Sequence, residues 1–182
     1  MDYEYCFNNG IHVLATSPVF AQPVAEMALG LTLSIARSIH IAHSDFVASK
    51  EKYGGAISQK NFLLKNKTFG LIGFGDLAKS LTPLLKGFSK DILAYDPWVP
   101  NKEIERFDVK PNNLNTLLKK SDVIYVLASI TSSNRSMINT SKLKLIKNGS
   151  VIVLMSRAAI IHFDNFYTFL KNRHVFAAID VF

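Results

Sequence analysis

A doubly wound α/β domain with a mostly parallel sheet is what this sequence predicts, and three observations predict it. From Lys67 onward, short apolar runs alternate with amphipathic stretches. The runs are apolar at consecutive positions, as in parallel strands covered by helices on both faces. A glycine-rich turn, Gly73-Phe74-Gly75-Asp76-Leu77-Ala78, joins the first run to the first amphipathic stretch.

Taken in order, the first 20 residues read as irregular, with one short strand at 11–15. A long helix is expected from Pro23, a residue suited to a first helical position, to about residue 48. Val24, Met27 or Ala28, Leu31, Ile35, Ile39, Ala42 and Phe46 recur along it at helical spacing. Leu29 and Leu33 widen its apolar face, which implies more than one neighbour: packing within the domain, or a homodimer through helix 23–48. Residues Tyr53 to Gln59, with Gly54-Gly55, read as a loop. Strands are expected at 68–72, 91–95, 123–127, 150–155 and 175–180, and helices at 76–87, 114–120, 141–146 and 163–172.

Composition narrows the class. The chain has 182 residues, 48% hydrophobic and 19% charged, an ordinary balance for a globular protein and the reverse of a disordered one. One cysteine, Cys6, leaves no internal disulfide, so a reducing compartment, the cytoplasm, is the expectation. The net charge of +7 is spread along the chain, without a basic run interleaved with aromatics. It argues for a solvated surface that attracts an anionic cofactor rather than for nucleic-acid binding. The stretch from Ser17 to Ala36 contains Pro18, Pro23 and Glu26. Its uncharged part is about half of the roughly 20 residues a membrane span needs, so it reads as a buried helix. No positively charged leader precedes it, and a secretory signal is not expected. No metal-ligand pattern is present, and no metal is expected.

The glycine-rich turn carries the chemistry. Its pattern is G-x-G-x-x-A. Gly73 permits a tight turn, Gly75 lets the backbone approach a pyrophosphate, and the small Ala78 lets the helix pack close to the sheet. The anion is expected to rest on free N–H groups at the helix start near Asp76. Alone the pattern is weak, because glycine pairs are common in such turns. The following run, however, ends in Tyr95-Asp96-Pro97. Asp96 stands about 20 residues beyond Gly75, the interval at which a carboxylate accepts hydrogen bonds from a ribose. No arginine follows Asp96 directly, so NAD is favoured over NADP. Asp76 brings a second carboxylate near the phosphates and must turn outward. Methyltransferases share this sheet but prefer another glycine pattern.

Together these motifs resemble the D-isomer-specific 2-hydroxyacid dehydrogenase family over nearly the whole chain. The resemblance rests on Gly10-Ile11-His12-Val13 with Val24-Ala25-Glu26, on 67–75 with Tyr95-Asp96-Pro97, on 114–126, and on 150–181 with Ser156-Arg157 and Ile179-Asp180-Val181. It implies a Rossmann-type NAD-binding domain over residues 21–182. Residues 1–20 would be a residual segment of a substrate domain, with the chain truncated at both ends. It further implies hydride transfer between NAD(H) and a 2-hydroxy or 2-oxo acid. Arg157 would bind the substrate carboxylate and carbonyl, its fork of donors suiting two oxygens. Gly73, Phe74, Gly75, Asp76, Leu77 and Asp96 would contact the adenosine and pyrophosphate. Ala128, Ser129, Met155 and Asp180 would lie along the nicotinamide.

The resemblance also implies a histidine acid-base and a glutamate partner, both beyond the position of Asp180. None of His12, His40, His43, His162 and His174 matches that histidine. Leu154, Ala158, Leu127-Ala128-Ser129 and His162 depart from the residues usual in the family. The expected outcome is a domain that binds NAD(H) weakly and turns over no hydroxy acid by itself. A non-catalytic NAD-binding module for regulation or assembly is the alternative.

Overall fold

The computed structural model describes residues 2–14, 16–52, 61–172 and 175–180. Six strands form one sheet: β1 (Phe69–Ile72), β2 (Ile92–Tyr95), β3 (Lys110–Pro111), β4 (Val123–Val126), β5 (Val151–Leu154) and β6 (Phe176–Ile179). Their order is β3-β2-β1-β4-β5-β6, and every pairing is parallel. β1, β4 and β5 are buried along their full length, which explains their unbroken apolar sequences. Alternate residues serve opposite layers. Phe69, Leu71, Val123, Tyr125, Val151 and Val153 belong to one core, and Ile72, Ile124, Val126, Ile152 and Leu154 to the other.

The first core is covered by α2 (Ser17–Ala36) and α4 (Asp76–Lys86). The second is covered by α6 (Leu114–Lys120), α7 (Thr140–Leu143) and α8 (Phe163–Asn172). α4 buries Ala78, Leu81, Thr82 and Leu85, the stripe of an amphipathic helix. Asn113 caps α6 by accepting from the Thr116 N–H, after which Leu114, Leu117 and Leu118 turn inward.

The amino-terminal region departs from expectation. No strand forms at 11–14, and residue 15 lies outside the described residues; α1 (Tyr3–Asn8) precedes this segment instead. α2 starts at Ser17, with Pro18 in its first turn and Pro23 inside the helix. Pro18 therefore takes the role expected of Pro23, and the Ser17 hydroxyl fixes the start by donating to Asp76 Oδ2 at 2.8 Å. The single helix expected over 23–48 divides into α2 and α3 (Ile39–Val47). Ser38 takes the left-handed conformation (φ 54°), and the Ala36 carbonyl accepts from the Phe62 N–H at 2.9 Å instead of continuing the helix. The loop read at 53–59 lies outside the described residues.

α2 is also less buried than expected. Ala21, Ala25, Ala28, Thr32 and Ala36 form its buried face, small enough for close approach to α4. Val19, Phe20 and Met27 are 75%, 58% and 51% exposed. By length and composition alone the helix could cross a membrane. Its inner face is fixed to the sheet by a hydrogen bond between the Thr32 and Tyr125 hydroxyls at 2.8 Å. Burial pushes the Tyr125 phenol above its ordinary pKa, against the opposing effect of that bond. Besides α1, three short elements were not anticipated: α5 (Asn101–Glu105), the two-residue β3 and a 3-10 turn at Ala158–Ile160.

Charged side chains tie the amino edge of the sheet together. The Thr68 hydroxyl donates to Asp91 Oδ2 at 2.7 Å, and the Thr68 N–H to Asp122 Oδ2 at 2.8 Å. Lys110 and Lys147 complete the network by pairing with Asp91 and Asp122 at 2.9 and 2.7 Å. The candidate site lies at the opposite, carboxyl edge.

Candidate functional site

The strand order reverses between β1 and β4, the point where ligands of such sheets bind beyond the strands' carboxyl ends. Gly73 leaves β1 at this point with φ +95°. A Cβ there would lie 2.6 Å from the backbone N and Cα of Ala128, the second residue after β4. Only glycine satisfies both the torsion and the space. Gly75 differs: a Cβ there would meet nothing within 4 Å, so the space above its backbone is open to a ligand. Gly75 is the N-cap residue of α4, whose eleven residues place free N–H groups and a positive dipole end at the same spot. Ala78, one turn in, is fully buried against the core.

Asp96 reaches this turn from the end of β2. Its Oδ2 accepts from the Phe74 N–H at 2.8 Å, and its Oδ1 from the N–H groups of Trp98 and Val99 at 2.9 and 3.2 Å. The carboxylate is half-buried, with lone pairs left for further donors. A narrow crevice joins Gly73, Asp96, Ala128 and Trp98 with Asn134 and Met137. Trp98 is 59% exposed there.

On the other side of Ala128 lies a cleft of about 260 Å³ lined by Leu77, Leu127, Ala128, Ser129, Ile130, Met155, Ser156 and Arg157. Sheet hydrogen bonds carry its walls past the strand ends. The Leu127 N–H donates to Ile72 O, and the Met155 N–H to Val126 O. Two loops close the cleft and are themselves paired. Ile138 and Ile161 form a parallel bridge, and the Ser136 N–H donates to Ala159 O at 2.8 Å. Asn134 is buried and braces its own turn by donating to Ser129 O and accepting from the Thr131 N–H. Arg157 follows β5 and is exposed. Beside it the buried Ser156 Oγ has no hydrogen-bond partner among the described residues.

The structure thus gathers Leu77, Ala128, Ser129, Met155 and Arg157 around one cleft, and Gly73 and Asp96 around the adjoining crevice. Asp180 lies at the same edge, held by its N–H to Leu154 O at 3.0 Å, but lines neither cavity. The Phe74 ring is fully buried and meets Phe107 edge-on at 5.5 Å, so its side chain serves the core. The Asp76 carboxylate turns to Ser17, as an acid beside phosphates must. Trp98, Asn134 and Ser156 were not among the expected site residues; Trp98, two residues after Asp96, and Ser156, directly before Arg157, carried a positional signal. None of His12, His40, His43 and His162 lines the cleft, and the described residues contain no group of metal-ligating side chains. An orphaned hydroxyl, an open Gly75 and a carboxylate one strand from a phosphate-type turn fit a dinucleotide.

Comparison with known proteins agrees with this geometry. The profile of the family described as "D-isomer specific 2-hydroxyacid dehydrogenase, NAD binding domain" matches residues 29–182. A hydroxypyruvate reductase of Thermotoga maritima is 36% identical over 183 aligned positions, covering all of this chain and 58% of the relative. Among solved structures, a phosphoglycerate oxidoreductase from Rhizobium etli superposes with a TM-score of 0.86 at 37% identity. The match covers all of this chain and 58% of that one. A D-lactate dehydrogenase from Aquifex aeolicus, complexed with NAD and lactic acid, gives 0.84 at 25% identity, covering 100% and 54%. The chain therefore spans little more than half the length of these relatives, and it belongs to the D-isomer-specific 2-hydroxyacid dehydrogenase family as its NAD-binding domain.

Proposed function

We propose that this chain binds NAD(H) across the junction of β1 and β4, and that a protein containing it oxidises or reduces a 2-hydroxy or 2-oxo acid. The observation that carries the reading is the meeting of three features: the forced glycine at position 73, the open backbone at Gly75, and the Asp96 carboxylate bonded to the turn between them. In this reading the α4 N-terminus and the turn hold the pyrophosphate, and Asp96 accepts from a ribose hydroxyl. Leu77, Ala128, Ser129 and Met155 flank the nicotinamide, which supplies the hydride acceptor or donor. Asp180 stands at that end. Arg157, exposed at the cleft mouth, pairs with the acid's carboxylate through two donors. Residues 1–20 belong to a substrate-binding region, a small-molecule acid is the partner, and the cytoplasm is the setting. The exposed apolar side of α2 and α3 meets a second copy of the chain.

Titration of the 182-residue chain with NADH and with ADP-ribose by calorimetry tests the central claim. Both should bind, weakly, and 2-oxo acid should not be turned over. Absence of any ADP-ribose binding at millimolar concentration sinks the assignment. A second reading, a non-catalytic NAD-binding module, is favoured by the lack of a described histidine beside Arg157. Turnover of 2-oxo acids by a protein that contains this chain within a longer sequence decides against it.

A further inference from the structure

We infer that Ser17 is a positioning residue for dinucleotide binding: by holding the Asp76 carboxylate against the start of α2, it keeps a negative charge off the glycine-rich turn. The inference rests on the dinucleotide reading above and adds a residue that touches neither the crevice nor the cleft. Asp76 is the first residue of α4, directly after the open Gly75, so its side chain springs from the rim of the anion seat. A carboxylate in a first turn gains from the helix dipole while the seat is empty. A bound pyrophosphate uses the same positive end and repels a carboxylate beside it. The direction in which Asp76 points therefore bears on affinity. That direction is set by a contact between residues 59 apart in sequence: Ser17 Oγ donates to Asp76 Oδ2 at 2.8 Å.

The start of α2 suits a displaced carboxylate. α2 packs along α4 through a face of small residues, among them Ala21, Ala25 and Ala28, and the Ser17–Asp76 bond brings the first residues of the two helices together. Asp76 thus meets the amino end of a second helix, 20 residues long, whose positive end stabilises the charge as that of α4 does. Pro18 has no N–H, and the Val19 N–H donates to Thr16 O, so the Ser17 hydroxyl carries the contact. Without it, the staggered side-chain positions of Asp76 that face the turn gain population, and the charge there opposes the phosphates.

A double-mutant cycle separates this role from simple bracing of α2. NADH and ADP-ribose are titrated by calorimetry into the 182-residue chain, into Ser17→Ala, Ser17→Thr and Asp76→Asn, and into the Ser17→Ala, Asp76→Asn double variant. Ser17→Ala should bind both ligands about threefold to tenfold more weakly at about 0.01 M salt, since both contain the pyrophosphate, and the loss should shrink at about 1 M. Ser17→Thr keeps the hydroxyl and should bind as the parent does. In the Asp76→Asn background the charge is gone, and loss of the Ser17 hydroxyl should change nothing. Equal losses in the two backgrounds overturn the assignment, because Ser17 then only braces its helix. Unchanged affinity in Ser17→Ala overturns it as well, and either result leaves the dinucleotide reading intact. A parent chain that binds neither ligand sinks both readings together.

Discussion

The Phe74 N–H donates to Asp96 Oδ2 across 2.8 Å, joining the exit of β1 to the exit of β2. The carboxylate is therefore positioned before any ligand arrives. It braces the glycine-rich turn through the Phe74 N–H and its own loop through those of Trp98 and Val99.

Asp96→Ala is accordingly expected to act twice. It should weaken NADH at least tenfold, and it should lower stability by about 1–3 kcal/mol through the N–H groups left without their charged acceptor. Asp96→Asn keeps one acceptor oxygen and should recover much of the stability but less of the affinity. Calorimetric titration and denaturant unfolding of the two variants check this, and an unchanged affinity in Asp96→Ala removes the residue from the site.

The two glycines of the turn should respond in opposite ways. Gly73→Ala meets both a left-handed torsion and the Ala128 backbone at 2.6 Å, and should cost several kcal/mol or prevent folding. Gly75→Ala enters open space and should melt within about 2 °C of the parent while losing dinucleotide affinity, because the methyl takes the ligand's place. Equal stability of both variants contradicts this account.

Acid should weaken the fold through the amino edge. The Asp91 carboxyl is held below its ordinary pKa, chiefly by hydrogen bonds from Lys110 and Thr68. For Asp122, burial pushes upward, but the Lys147 hydrogen bond and the Thr68 N–H outweigh it. With both folded-state values depressed, the stabilisation is fully present above the unfolded carboxylate pKa of about 3.9 and is lost as the pH falls through the folded values. Stability in urea should thus drop below about pH 4, and Asp122→Asn should flatten that drop. At pH 7 the substitution should cost about 1 kcal/mol, since the Asp122–Lys147 pair is partly exposed and screened.

The exposed side of α2 offers a separate test. Phe20→Glu together with Met27→Lys should leave the melting temperature within about 2 °C, because neither side chain belongs to the core. In sedimentation the parent should run as a dimer and the double variant as a monomer. A monomeric parent refutes the pairing proposed for this face.

The wound sheet was legible because parallel strands buried on both faces must be continuously apolar, as the sequences of β1, β4 and β5 are. The turn was legible because steric demands there leave glycine no substitute. The division of 23–48 into two helices was hidden: nothing in the local pattern announces that Phe62 will take the Ala36 carbonyl. β3 was hidden too, since two residues, one of them Pro111, carry no periodicity. Strand-end position was enough to place Ala128, Ser129, Met155 and Arg157 beside one cleft. Asn134 and Ser156 were missed because their roles depend on partners, or the lack of them, that only folding reveals.

The bridge between Ile138 and Ile161 gives Arg157 a companion. Through that bridge the stretch that follows Arg157 is tied to the stretch that follows Ser129, so the two walls of the cleft form a single yoke. Widening the cleft would therefore mean redesigning both loops at once, since altering one alone would break the seam that aligns them.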